Sequence, residues 1–367
     1  VSEGRRDPLR VGIIGVGWGT VVQVPAFRLV PDYEVVALCS RRPERVSAAG
    51  DSLGIADTST DWEAFVARDD LDLISVCTPV ALHAEQTLAA IAAGKHVLVE
   101  KPVGIDATQT SAMLTAAEAA GVAHAVCFES RWEPARLRVW ERVREGHIGE
   151  PYFATARSAG DFWHPTRAIQ SEWMYRRDEG GGYLMGMAAH DIDYVCALFG
   201  DPVAVCADVH TFVPERTRPD GSTLHVDADD TAALLMRMAN GMLAVIWTTA
   251  VALHENSRAF ECFGSRGSLT MAGALLGTEE PEIRSSSVEH AEGEVIAPSD
   301  RMPASGMELP ARRAAGAIRA LALMLEDWVP AFAGQPSPVP TLRDGHRVQH
   351  VIDAALRSSA GEGWVDL

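Results

Sequence analysis

Arg10-Val11-Gly12-Ile13-Ile14-Gly15-Val16-Gly17-Trp18-Gly19-Thr20 joins a short apolar strand to a glycine-rich turn, and a helix-like stretch follows toward Val30. Such a turn lets the backbone approach a pyrophosphate, while the helix N-terminus behind it offers N–H donors and a favourable dipole. Gly15 and Gly17 hold the first two glycine positions of the dinucleotide fingerprint; Thr20 holds the third, placed to cap the helix, and Gly19 falls one residue early. The strand before and the helix after favour a nucleotide over an ordinary tight turn. Working outward, residues 33–39 read as the next strand, 43–50 as a helix, 71–77 as a strand, 83–93 as a helix and 96–100 as a strand. An Ala-rich helix at 108–120, closed by Gly121, and a strand at 123–128 complete the series. This repeated β-then-α order predicts a doubly wound parallel sheet of the Rossmann dinucleotide-binding type.

After Arg131 the texture changes. A helix to residue 145 precedes strand-like runs at 152–158, 203–212, 231–238, 243–249 and 259–263, with turn signals at Asn240-Gly241 and Gly264-Ser265-Arg266-Gly267. These features predict an α+β domain with a mostly antiparallel sheet. Residues 311–329 and 343–358 read as late amphipathic helices joined by the Pro-rich 335–340, and 279–306 reads as a loosely organised polar stretch. The expected division is residues 1–128 and 129–367, with the late helices free to pack back on the first domain.

A chain of 367 residues with 47% hydrophobic content has material for two cores. Its net charge of −18 argues against nucleic acid or an anionic membrane surface as partner. No run approaches the roughly 20 apolar residues of a membrane span, and residues 1–10 are polar rather than signal-like, so a cytoplasmic protein is expected. Cys39, Cys77, Cys127, Cys196, Cys206 and Cys262 stand singly, with no Cys-x-x-Cys or Cys/His ligand spacing. They read as buried thiols, and no metal site is expected.

Only two lysines, Lys95 and Lys101, stand among the 32 basic side chains, so this chain writes a generic cation as arginine. Lysine differs in being compact and able to lose its proton. Lys101 ends the apolar run Val97-Leu98-Val99-Glu100-Lys101-Pro102, at the carboxyl end of an expected parallel strand, where open α/β sheets gather ligands. Pro102 permits a cis peptide there. The end of the second strand reads Cys39-Ser40-Arg41-Arg42, a hydroxyl and two guanidinium groups where an acid would otherwise meet the ribose 2′-hydroxyl. That set favours NADP over NAD, the plainer reading being solvated loop charges. Further along, Gly180-Gly181-Gly182-Tyr183 leads into apolar residues carrying His190, with Asp193 about a turn later.

Taken together, Gly15-Val16-Gly17, Cys77-Thr78-Pro79 with His83, Glu100-Lys101-Pro102, the triple glycine before His190, and the tail 351–367 resemble the glucose-fructose oxidoreductase / inositol dehydrogenase / MocA family. The resemblance implies an N-terminal Rossmann domain and a C-terminal α+β domain whose large open sheet supports a homo-oligomer, a dimer or tetramer. It further implies NAD(P)-linked oxidation or reduction of a carbohydrate-like small molecule. Carried over by residue, Gly15, Gly17, Trp18, Gly19, Thr20, Ser40, Arg41, Arg42, Thr78, Pro79, His83, Glu100, Lys101 and Glu129 would line the cofactor. Lys101 would bind the reacting oxygen and His190 would be the acid/base.

One position departs from the family pattern. Dehydrogenases of the family commonly carry an aspartate four residues before the histidine, and here that residue is Gly186. Asp191, Asp193, Tyr175 and Tyr183 are all possible replacements. Aromatic and hydrogen-bonding residues before the triple glycine suit a sugar ring, which places Trp163, His164, Arg167, Trp173, Tyr175 and Tyr183 with Lys101 and His190 as substrate candidates; packing is the alternative for Trp163 and His164. Two rival functions stay open at this level: a non-catalytic dinucleotide sensor, motivated by Gly186, and redox-assisted glycoside cleavage.

Overall fold

The computed structural model describes residues 7–275, 279–305 and 314–367. The chain forms two compact units, one from the described residues up to Trp132 with those of Arg301–His346, the other from Glu133–Asp300 with Arg347–Leu367.

In the first unit, β1 (Leu9–Ile14), α1 (Val24–Arg28), β2 (Tyr33–Cys39), α2 (Pro43–Leu53), β3 (Asp57–Ser59), α3 (Trp62–Val66), β4 (Leu73–Val76), α4 (His83–Ala92), β5 (His96–Val99), α5 (Ala107–Ala120) and β6 (His124–Val126) follow in turn. The six strands form one parallel sheet in the order β3-β2-β1-β4-β5-β6. Strands β4 and β5 are buried along almost their whole length, as expected where helices cover both faces. The order reverses between β1 and β4, and in open sheets that switch point opens the crevice in which nucleotides bind. Two elements went unseen in the sequence, β3 and α3. Asp57-Thr58-Ser59 is a polar edge strand, held to β2 by backbone pairing and lacking any apolar alternation.

The second unit opens with α6 (Pro134–Arg144) and β7 (Pro151–Gly160), then α7 (Ala189–Phe199), β8 (Pro202–His210), the small hairpin β9 (Glu215–Thr217) and β10 (Thr223–His225), and β11 (Thr231–Met238). It continues with β12 (Leu243–Thr249), β13 (Asn256–Gly264), β14 (Gly267–Gly273), β15 (Glu282–Ser287) and β16 (Glu294–Ile296). A final short strand, β17 (Val365–Asp366), completes a nine-stranded sheet ordered β16-β15-β14-β13-β7-β12-β11-β8-β17. Every adjacent pair is antiparallel except β7 with β12. Alternation is clearest in β11 and β12, whose Leu234, Met236, Ala244 and Ile246 are buried while Ala233, Arg237, Leu243 and Trp247 face out. Of the polar stretch 279–306, residue 306 lies outside the described residues; the rest is better organised than its composition suggests. Ile283 and Ser285 of β15 are buried, and the strand is held by pairing with β14 and β16.

Of the expected helix at 311–329, the start lies outside the described residues; the rest is α8 (Ala315–Trp328) in the first unit. Ile318, Leu321, Leu325 and Trp328 join one buried cluster with Phe27 and Tyr33, and the Tyr33 hydroxyl donates to the Leu325 carbonyl at 3.0 Å. Burial of side chains this large contributes about 1.5–3 kcal/mol each, which explains why a segment late in the chain joins the first core. Helix α9 (Leu342–Arg357) divides between the units at His346.

Candidate active site

The turn after β1 needs glycine at its first position for a steric reason. Gly15 has φ +116°, and a Cβ there would fall 2.1 Å from the carbonyl oxygen of Cys77, at the end of β4. Gly19 packs on Ile13, whereas a Cβ on Gly17 would meet no atom within 4 Å, and neighbouring Trp18 is exposed. The turn is thus closed toward the sheet and open outward. Thr20 departs from expectation. Its hydroxyl donates to the carbonyls of Val16 (3.0 Å) and Gly17 (3.1 Å), and the helical turn that begins here has no side-chain cap. The chain enters a π-helical turn, Gly19–Gln23, one residue earlier, with Trp18 at the N-cap position. Such widened turns recur at functional sites.

At the end of β5, Glu100 is buried, Lys101 is half-buried, and the Lys101–Pro102 peptide is cis. Burial raises the Glu100 pKa, while the Lys101 charge and the Gln23 amide oppose that rise. Gln23 Nε2 donates to Glu100 Oε1 at 2.8 Å, Ser75 Oγ donates to Gln23 Oε1 at 2.7 Å, and the Lys101 N–H donates to Glu100 Oε2 at 3.3 Å. His83, 1% exposed, sets Nδ1 2.9 Å from the Pro102 carbonyl and Nε2 2.8 Å from that of Thr78. Burial pushes its pKa down against the pull of these carbonyls, so as a neutral ring it donates to one of them. The ring thus lies between the Thr78-Pro79 turn and the Lys101-Pro102 bend and is bonded to one of them. The Thr78 hydroxyl donates to Gln86 Oε1 at 2.7 Å. Glu129 lies on the turn after β6, close enough for its charge to raise the thiols of Cys77 and Cys127.

The other lysine has a different occupation. Lys95 is 9% exposed, and its ammonium donates to the carbonyls of Arg68 (2.6 Å) and Leu71 (3.0 Å), sealing the loop before β4. At the end of β2, the Ser40 N–H bonds the Ser59 carbonyl, and Arg41 and Arg42 are exposed.

In the second unit the triple glycine is required by the protein's own atoms. A Cβ on Gly181 would lie 2.5–2.6 Å from the carbonyl oxygens of Trp173, Met174 and Arg176, and one on Gly182 (φ +116°) 2.3 Å from Asp229 Oδ1. Asp229 accepts the Leu184 N–H at 2.7 Å, and its carbonyl accepts the Tyr183 N–H at 2.9 Å. Desolvation pushes its pKa up to about 6. This clamp launches a second π-helical turn, Leu184–Ala188, from which His190 emerges half-buried as the second residue of α7. Asp191 beside it is committed to Arg136 Nη2 (2.5 Å) and Ser158 Oγ (3.2 Å).

Of the aromatic candidates, Trp163 (3% exposed), Tyr175 (0%) and Tyr183 (6%) form one buried cluster, with Trp163 4.8 Å from Tyr175 and 5.7 Å from Tyr183 between ring centres. The hydroxyls of Tyr175 and Tyr183 have no hydrogen-bond partner among the described residues. His164 and Trp173 are half-buried, His164 bonds the Thr166 hydroxyl through Nδ1, and Arg167 is exposed and paired with Asp161.

Comparison with known proteins bears directly on this arrangement. Residues 9–128 match the model of an oxidoreductase family with an NAD-binding Rossmann fold, and residues 137–270 match the GFO/IDH/MocA C-terminal domain. A 1,5-anhydro-D-fructose reductase from Ensifer adhaerens is 31% identical over 73% of this chain and 76% of that one. The chain belongs to the Gfo/Idh/MocA oxidoreductase family. Levoglucosan dehydrogenase from Pseudarthrobacter phenanthrenivorans is 27% identical over 98% of each chain. A solved structure of levoglucosan dehydrogenase in complex with NADH and L-sorbose aligns with a TM-score of 0.81, at 27% identity over 98% of each chain.

Within this Gfo/Idh/MocA member, Gly186 sits inside the second π-helical turn, and a Cβ there would meet nothing within 4 Å. The space beside this position is open. Three polar residues escaped the sequence reading: Gln23, Ser75 and Asp229. A lone glutamine in Val21-Val22-Gln23-Val24 and a lone serine in Leu73-Ile74-Ser75-Val76 are visible as oddities, but nothing in sequence says that they meet.

Proposed function

We propose that the protein is an NAD(P)-dependent dehydrogenase or reductase that moves hydride between nicotinamide and a carbohydrate-like alcohol or ketone. The observation that carries this reading is Lys101, a half-buried ammonium beside buried Glu100, at the end of the strand next to the sheet's switch point. The glycine turn suits a dinucleotide: the open space at Gly17 leaves room for phosphate oxygens, and Gly15 brings the backbone close to β4. When bound, the nicotinamide supplies or accepts the hydride. Lys101 holds the reacting oxygen and stabilises charge that builds on it. His190 exchanges a proton with that oxygen, a contribution of roughly 10²–10⁴-fold. Exposed Arg41 and Arg42, with Ser40, receive a 2′-phosphate, which makes NADP the preferred cofactor and NAD the alternative. His164 and Trp173, which keep exposed surface, meet the sugar, and the packed Trp163, Tyr175 and Tyr183 back them.

Leu243, Trp247 and Phe263 are exposed on the outer face of the nine-stranded sheet, with Phe153 between Leu243 and Phe263 in register. A second copy of the chain covers this apolar face in the homo-oligomer we infer.

The decisive experiment is Lys101→Ala assayed over a panel of sugars, polyols and glycosides. Turnover should be lost with little change in cofactor affinity; near-normal activity would remove Lys101 from the chemistry. His190→Asn should flatten the pH-rate profile near neutrality, and an unchanged profile would assign the proton to another group.

A further inference from the structure

We propose that Gln23 is a positioning residue for Lys101: its amide, oriented by Ser75, holds Glu100 as the charged partner of that lysine. The inference rests on the dehydrogenase reading above and deepens it.

Gln23 and Ser75 are both 0% exposed, among mostly apolar neighbours in sequence, so each costs stability unless fully bonded. An amide has a donor end and an acceptor end, and Ser75 can satisfy either. The observed orientation has Ser75 Oγ donating to Gln23 Oε1 at 2.7 Å, which leaves the amide Nε2 to donate to Glu100 Oε1 at 2.8 Å. The reversed amide would turn a carbonyl oxygen toward a carboxylate. The orientation and an ionised Glu100 therefore select one another. Of the remaining groups around Glu100, the Cys127 thiol gives weak support through a hydrogen bond and the others give none. Glu129 carries the same charge, and the Cys77 and Cys127 thiols are pushed up by burial and by Glu100 itself, so they stay neutral. Cys127 Sγ lies 3.6 Å from Gln23 Nε2 as a weak acceptor. Lys101, through its charge and its N–H, and Gln23 favour the carboxylate most, and the neutral Cys127 thiol adds a weaker hydrogen bond. Loss of the Gln23 donor removes one of the groups that favour the carboxylate, so Glu100 takes up a proton more readily and Lys101 loses part of its counter-charge.

The small number of lysines makes this measurable without turnover. Lys101 acylation by acetic anhydride can be followed by peptide mass spectrometry, with buried Lys95 as the internal reference. In Gln23→Leu, Lys101 should acylate ~3-fold faster at pH 8, because its amine is no longer held against a fixed counter-charge. The acid limb of kcat/KM should move up by about one unit, the size expected for a lost hydrogen bond to a charged group. Ser75→Ala should shift both in the same direction but less. The double variant Gln23→Leu/Ser75→Ala removes both polar groups, so it should regain thermal stability while keeping the two shifts. A Gln23→Leu protein with reduced stability but unchanged acylation and pH limb would overturn the proposal, as would a double variant in which the shifts vanish together with the instability. If the wild type turned over no sugar or polyol, the dehydrogenase reading would fail, and the acylation rates would still decide the role of Gln23.

Discussion

Asp229→Asn should stabilise the second unit at neutral pH and do little at pH 4. Asp229 is 4% exposed, and desolvation lifts its pKa from 3.8 to about 6, against the N–H donors of Leu184 and Tyr183 and the charge of Arg177. Between those two values the folded protein keeps a proton that the unfolded chain has released. Stability is therefore fully present below about pH 4 and falls as pH rises through about 6. At 1.36 kcal/mol per unit, a shift of about two units removes about 3 kcal/mol by pH 7. Asparagine retains an oxygen to accept the Leu184 N–H and has no charge to desolvate. Urea unfolding of wild type and variant from pH 4 to pH 8 should give curves that separate in favour of the variant up to pH 6–7 and then run parallel. Parallel curves across the whole range, or a variant that weakens as pH rises, would refute the reasoning. The site makes the test informative: the residue that gains from protonation also clamps Gly182 and Leu184, where the turn toward His190 begins.

Three further outcomes are expected. Gly15→Ala should cost more than about 3 kcal/mol, because the new Cβ combines an unfavourable φ of +116° with a 2.1 Å approach to the Cys77 carbonyl; thermal melting checks this. Lys95→Met should lower stability by about 1–3 kcal/mol, because the Leu71 carbonyl loses its donor and the Arg68 carbonyl keeps only the long bond from the Leu71 N–H, while kcat per folded molecule stays at the wild-type value; loss of kcat would show that the two lysines do not have separate roles. Arg41→Ala combined with Arg42→Ala should raise the Kd for NADPH at least ~10-fold more than that for NADH, given the strength of charge-assisted bonds to phosphate. Equal effects in calorimetry would dismiss the 2′-phosphate site.

The parallel sheet was legible because its inner strands are largely apolar runs bounded by turn residues, as in Leu73–Val76 and His96–Val99. What escaped was held by the backbone: β3, β15 and β16 are polar or short, and they exist because a neighbouring strand offers a ladder. The candidate site divides in the same way. Lys101 and His190 stood out by rarity and by company. The reading of Thr20 as a cap failed because its hydroxyl bonds back into the preceding turn once the π-helical turn is formed.

Composition, periodicity and the glycine turn determined by themselves that this chain would build a dinucleotide-binding sheet followed by an antiparallel one, because side-chain burial at periods of two and 3.6 is a local property of the chain. Tertiary structure alone decided which polar groups meet. Gln23 with Ser75 and Glu100, separated by 52 and 77 positions, and Gly182 with Asp229, come together only when the sheets form. It also separated two lysines that look alike in sequence, giving Lys95 two carbonyls to seal and Lys101 a buried carboxylate beside a cis proline. Hydrogen bonds and desolvation act through space, so these roles could not be read along the chain.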